Sequence, residues 1–259
     1  MRHHRVENWR PISIGRSNIS YCFSGNKQNY FIQIIIQSNN QFLPYERSIA
    51  LDKVVTPKSF RKLSSCLVDT YFQSNEVRIQ QWFESESLNI RLNGSIKIID
   101  FLAKFLADLH SVKSIQLPNF DLNKHLHKYR MIALSKDKNK NLISEINTCL
   151  EQSLSMLKWY QCCTLCHYDL NLNNILINKK NMKIKIVDWE YVCIGDPILD
   201  LAAVIKNFEL SGEQENHFIS CYKNSISKCL LDKINISNKK LDNMKRLNQC
   251  IYQLWEYGH

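Results

Sequence analysis

The segment Leu165-Cys166-His167-Tyr168-Asp169-Leu170-Asn171-Leu172-Asn173-Asn174 carries the spacing His-x-Asp-x-x-x-x-Asn, and Val187-Asp188-Trp189-Glu190 follows downstream. In that spacing an Asp can accept the proton of an attacking hydroxyl while the later Asn holds a metal ion. Asp188 ends the strand-like run that begins at Lys183 and adds the carboxylate that a hard divalent cation needs. A base and two oxygen ligands in this order read as a phosphoryl-transfer centre. Any one of them alone reads more plainly as a polar residue punctuating a turn.

Such residues must be held by the elements around them. Ile19 to Ser24 and Tyr30 to Ile36 are β-rich runs around Gly25-Asn26-Lys27-Gln28, a hairpin signal. The stretch from Pro44 to Lys53 predicts a helix opened by proline, and Cys66 to Phe72 with Glu76 to Phe83 predicts a second strand pair. Beyond Phe83 the period changes: Ile98, Leu102, Phe105, Leu106 and Leu109 recur at helical spacing, and most of the remainder follows suit. Two short strands at 174–178 and 183–188 interrupt it, and three closing helices are predicted at 198–208, 213–231 and 241–257. The expected class is α+β, with an N-terminal part at 1–86 built of a small antiparallel sheet and one helix, and a larger, mostly helical part at 87–259.

The chain has 259 residues, 44% of them hydrophobic, which is ordinary for a globular protein. It contains no apolar run of roughly eighteen residues and no apolar stretch behind its basic N-terminus, so a cytoplasmic protein without signal peptide or membrane span is expected. The ten cysteines then read as reduced, small core residues, and Cys163-Thr164-Leu165-Cys166 lacks the further ligands that a zinc site would need. The net charge of +10 is spread over short lysine runs beside Asn and Asp, which read as solvated faces and not as a nucleic-acid surface.

The phrases Cys166-His167-Tyr168-Asp169-Leu170-Asn171, Asn173-Asn174-Ile175-Leu176, Asp188-Trp189-Glu190-Tyr191, Gly195-Asp196-Pro197 and Asp200-Leu201-Ala202-Ala203 resemble the aminoglycoside phosphotransferase and choline kinase superfamily, particularly its bacterial thiamine kinase and choline kinase-like branch. The resemblance implies a bilobal, protein-kinase-like fold and an ATP- and Mg-dependent kinase that acts on an alcohol, as a monomer or weak dimer. It implies Asp169 as catalytic base, His167 as a residue that orients the loop, and Asn174 and Asp188 as Mg²⁺ ligands. It further implies nucleotide contacts from Gly15, Arg16, Ser17 and Asn18 as a phosphate loop, from Glu46 on the first helix, and from Gln81 and Trp82 near the adenine. Asp200 would brace the loop or cap the helix beside it.

The family carries a Lys or Arg on its third strand, whereas this strand reads Tyr30-Phe31-Ile32-Gln33-Ile34. Gln33 can hydrogen-bond a phosphate but cannot neutralise it, so Arg16 is the expected source of the missing charge. The departure keeps a second class open, a kinase fold that binds nucleotide with little turnover. Only residues 189–194 separate Asp188 from Gly195, too few for the activation segment of a protein kinase, so a small-molecule acceptor is preferred. A basic chain argues against a polycationic aminoglycoside and leaves the small cationic alcohols thiamine, choline and ethanolamine. Trp189, Glu190, Trp255 and Tyr257 are the acceptor-binding candidates, by cation–π attraction and charge pairing, and thiamine is the favoured acceptor.

Overall fold

The computed structural model describes residues 7–12, 18–25, 28–36, 62–74, 76–87, 95–113, 117, 119–136, 140–178 and 180–258. The chain divides into two compact units, residues 1–89 with 172–190, and residues 90–171 with 191–259.

The first unit is built on five antiparallel strands, β1 (Glu7–Ile12), β2 (Asn18–Gly25), β3 (Gln28–Ile35), β4 (Thr70–Gln73) and β5 (Val77–Gln81), in the order β1-β2-β3-β5-β4. Alternation gives the sheet two faces. On one face Phe23 stacks on Trp9 and Tyr30, each pair with ring centroids 5.0 Å apart. On the other, the register aligns Ser20 with Gln33, Gln33 with Arg78 and Arg78 with Gln73, a polar row across four strands. Val68 and its neighbours are apolar enough to suggest a strand from Cys66, but the structure puts a 3-10 turn at Ser64–Cys66 and begins β4 only at Thr70. Leu63 and Leu67 are buried there, and the Leu67 carbonyl accepts from Lys185 Nζ. The helix expected at 44–53 lies outside the described residues.

A second sheet of the same unit comprises β6 (Glu86–Ser87), β8 (Ile175–Asn178) and β9 (Lys183–Ile186), in the order β6-β8-β9. Pairing of Glu86 with Ile177 and Ser87 with Leu176 groups the segment 172–190 with the N-terminal residues, although it lies far along the chain from them. Buried Ile175, Ile177 and Ile186 alternate with half-exposed neighbours, as the sequence pattern requires.

The second unit holds α1 (Ile96–His110), α2 (Leu122–Lys136), α3 (Lys140–Met156), α4 (Pro197–Asn207), α5 (Gly212–Ser225), α6 (Lys228–Ile234) and α7 (Asn238–Tyr257), with the two-stranded pair β7 (Thr164–Cys166) and β10 (Cys193–Gly195). Leu102, Leu106 and Leu109 of α1 are buried, the helix packs on α5, and Leu241, Met244, Leu247 and Leu254 form the buried stripe of α7. Fully burying each such side chain stabilises by about 1.5–3 kcal/mol. The single helix expected at 213–231 is two, because Ile226 and Ser227 are extended between α5 and α6. The start of α5 carries a capping box between Ser211 and Gln214. Among the described residues no helix is long and apolar enough to cross a membrane.

Candidate active site

The first unit encloses a cavity of about 210 Å³, floored by the pocket-facing side of the five-stranded sheet and walled by residues 173–176 and 187–188. Ile12, Phe31, Val68, Leu176 and Val187 give it apolar surface of the kind that accepts a flat base. Its polar side chains include Asn18, Gln33, Arg78, Asn174 and Asp188. Asn174 and Asp188 are aligned by their backbones, since the Val187 N–H donates to the Asn174 carbonyl at 3.0 Å. Asp188 has φ 64°, a conformation a non-glycine residue keeps only where its surroundings fix it. An amide oxygen and a carboxylate on one cavity wall are hard oxygen donors, and they fit Mg²⁺ bound together with phosphate oxygens.

The floor of the cavity is unusual in its burial. Ser20, Gln33 and Arg78 are 5%, 8% and 3% exposed. Gln33 Oε1 is buried without a hydrogen-bond partner among the described residues. Arg78, which the sequence pattern did not single out, is the one cation among the described residues that line the cavity, and Asp188 the one anion.

In the second unit, β7 delivers the chain into the loop that carries His167 and Asp169. Asp200 of α4 holds this loop: its Oδ2 accepts the N–H of His167 and its Oδ1 the N–H of Tyr168, each at 2.8 Å. His110 Nε2 lies 3.2 Å from Asp200 Oδ2, and His110 Nδ1 lies 2.8 Å from the Tyr222 hydroxyl. These groups are buried, so the network is a rigid anchor. The cap of α4 falls instead to Asp196, whose Oδ1 accepts the Ile198 N–H at 2.9 Å. Burial pushes the Asp196 carboxyl up from its usual range, against the pull of Lys240, whose Nζ is 3.0 Å from Oδ2.

Tyr168 has φ 60°. Its hydroxyl accepts the Asp196 N–H at 2.7 Å and donates to the Tyr160 hydroxyl at 3.1 Å. A glycine at 195 is what lets that ring in, because a Cβ there would meet the Tyr168 hydroxyl oxygen at 2.1 Å. Asp169 follows, half-buried, with Asn171 Nδ2 donating to its Oδ1 at 3.0 Å. The Asp169 N–H donates to His167 Nδ1 at 3.2 Å, and His167 is fully buried. A ring nitrogen that accepts a backbone N–H carries no proton, so His167 Nδ1 helps to fix the backbone at Asp169.

Of the residues expected from the sequence, Asn18, Gln33, Gln81, Trp82, Asn174 and Asp188 line the cavity. Gly15, Arg16, Ser17 and Glu46 lie outside the described residues. Trp189 is 5% exposed and its indole N–H donates to the Ile186 carbonyl at 3.1 Å. Glu190 is likewise buried, with Oε2 3.5 Å from Asn18 Nδ2. Trp255 and Tyr257 occupy the last turn of α7, where Tyr252 stacks on Trp255 at 6.1 Å and the Tyr257 hydroxyl donates to Glu145 at 3.0 Å. The signal for Arg78 was present as a lone cation inside Val77-Arg78-Ile79-Gln80, but only strand register shows which face it takes.

The sheet-floored cavity with its oxygen donors belongs to the first unit and the braced His-x-Asp loop to the second, and both lie within the span matched by one family model. The chain belongs to the phosphotransferase enzyme family, whose model matches residues 8–222. It is 29% identical to the LicA homolog of Mycoplasma capricolum over 86% of this chain and 83% of that protein. Other alignments cover less of the relative: 35% of an uncharacterized protein of Metamycoplasma hominis (24% identical, 73% of this chain), 33% of LicA of Haemophilus influenzae (29%, 35%) and 40% of human ethanolamine kinase 1 (24%, 66%). The chain thus spans about a third of the length of several curated relatives that it matches. In fold it is similar to choline kinase LicA from Streptococcus pneumoniae, with TM-score 0.75 and 21% identity over 98% of this chain and 85% of that one. A LicA structure in complex with AMP gives TM-score 0.78 and 19% identity over 100% and 85%.

Proposed function

We propose that this chain is an ATP- and Mg-dependent kinase that phosphorylates the primary alcohol of a small cationic metabolite, with choline the leading acceptor. The observation that carries the reading is the shared cavity of Asn174, Asp188 and Arg78, two oxygen donors and a cation around one pocket. The relatives and solved structures named for choline and ethanolamine favour those acceptors over thiamine, for which the residue pattern alone speaks. The aromatic pair Tyr252–Trp255, with Glu256 accepting from the Tyr252 hydroxyl at 2.9 Å, offers the aromatic face and carboxylate that a quaternary ammonium requires.

Asp169 accepts the proton as the acceptor oxygen attacks the γ-phosphorus in line, the new P–O bond forming as the bond to the β,γ-bridging oxygen breaks and ADP departs. Asn171 fixes the orientation of that carboxylate, and Asp200 fixes the backbone behind it. Asn174 and Asp188 would hold Mg²⁺, which when bound neutralises charge on the β- and γ-phosphate oxygens. Most of the catalysis asked of this chain is therefore positioning and fixed charge.

The acceptor is tested by comparing kcat/KM for choline, ethanolamine, thiamine and kanamycin at saturating Mg-ATP. Choline or ethanolamine should lead by at least tenfold, about 1.4 kcal/mol of transition-state discrimination. A lead for thiamine or kanamycin would overturn the choice of acceptor, and turnover of none would favour a nucleotide-binding protein of the same fold.

A further inference from the structure

The third strand of this chain presents Gln33 where the resembled family places a Lys or Arg. We propose that the cation has moved one strand across the sheet, and that Arg78 of β5 supplies the positive charge to the phosphates of the bound nucleotide. The inference rests on the nucleotide-dependent reading above.

Gln33 and Arg78 are directly opposed in the antiparallel pairing of β3 with β5. Directly opposed residues project to the same face with Cβ atoms about 4.5–5.5 Å apart, well within the length of an arginine side chain. Both line the cavity with Asn174 and Asp188, and Arg78 is 3% exposed. The remaining members of its cross-strand row, Ser20, Gln33 and Gln73, are neutral. A guanidinium is always charged and presents five N–H donors in a fork, so it can grip a phosphate and still serve a second acceptor. Its charge acts where water is excluded, and there a phosphate gains more from it than from a surface lysine. Gln33 Oε1 is an acceptor without a partner among the described residues, and phosphate oxygens would bring it no donor. Gln33 can therefore orient the nucleotide through its amide N–H groups but cannot replace the charge.

The test measures binding of Mg-ATP and of adenosine by calorimetry to the wild-type chain, Arg78→Met, Arg16→Ala and the swap Gln33→Lys/Arg78→Met. Arg78→Met should weaken Mg-ATP roughly 10- to 100-fold, the worth of a charge-assisted hydrogen-bonding pair, and leave adenosine within about twofold. The swap should recover part of the loss, because the introduced ammonium would project from the same row. Equal weakening of both ligands would mark Arg78 as structural, and an unchanged Mg-ATP affinity, or a loss confined to Arg16→Ala, would overturn the proposal. Arg78→Gln provides the same ratio if Arg78→Met does not fold. A wild-type chain that binds Mg-ATP through Arg78 but turns over no alcohol would sink the kinase reading alone; one that binds no nucleotide would sink both.

Discussion

Asp169 depends on its neighbours for orientation more than for reactivity. The Asn171 amide holds one of its oxygens, His167 takes its backbone N–H, and Tyr168 precedes it in a left-handed conformation that Gly195 makes room for. Asp169→Asn keeps this geometry but removes the proton acceptor, so turnover should fall roughly 10²- to 10⁴-fold with the melting temperature unchanged. Near-normal turnover would remove Asp169 from the base's role. Gly195→Ala should act through Tyr168: the ring must move, at about 1–3 kcal/mol for an overpacked site, and turnover should drop with it. An alanine variant of wild-type stability and rate would show that the contact is loose. At this scale the spacing singled out Asn174 and Asp188, which the structure places on one cavity, and Asp169, which it places in a braced loop. Arg78 was not singled out, since its place depends on pairing between strands, and the burial of the Trp189 ring is not visible in composition.

Among the elements, α4 contributes most to the site. Its Asp200 satisfies two loop N–H groups and faces His110, so Asp200→Ala leaves three buried polar groups to find new partners. A loss of about 1–3 kcal/mol for each orphaned group is expected in urea unfolding, together with loss of turnover. A denaturation midpoint equal to that of the wild-type chain would mean that water takes over the bracing. The stripe of α7 and the hairpin of β2 with β3 were readable from period alone, because each buries one face. The late start of β4 was not, since Leu67 and Val68 look like strand residues and are apolar for another reason: Leu67 is buried and its carbonyl takes the Lys185 ammonium. Nor was the break at Ile226 and Ser227, where no glycine or proline marks the end of α5.

For the whole molecule, the chain's order in sequence differs from its order in space. Residues 172–190 carry both proposed metal ligands and cluster with the N-terminal sheet, joined by β6 and β8, so the cavity is completed by a segment that sequence position would assign elsewhere. The two strands at 175–178 and 183–186 were legible, while their pairing with β6 was not, because β6 is only Glu86 and Ser87. The chain's membership of the phosphotransferase enzyme family rests on a match over residues 8–222, and the proposed function adds the reaction and its two substrates. The direct test follows Mg-ATP and choline with the purified chain by phosphorus NMR, beside Asp188→Ala. Phosphocholine and ADP should appear in equal amounts with the wild-type chain and fall by at least about a hundredfold with the variant, as loss of a transition-state charge contact requires. ADP formed without phosphocholine, or phosphocholine formed equally by Asp188→Ala, would contradict the account.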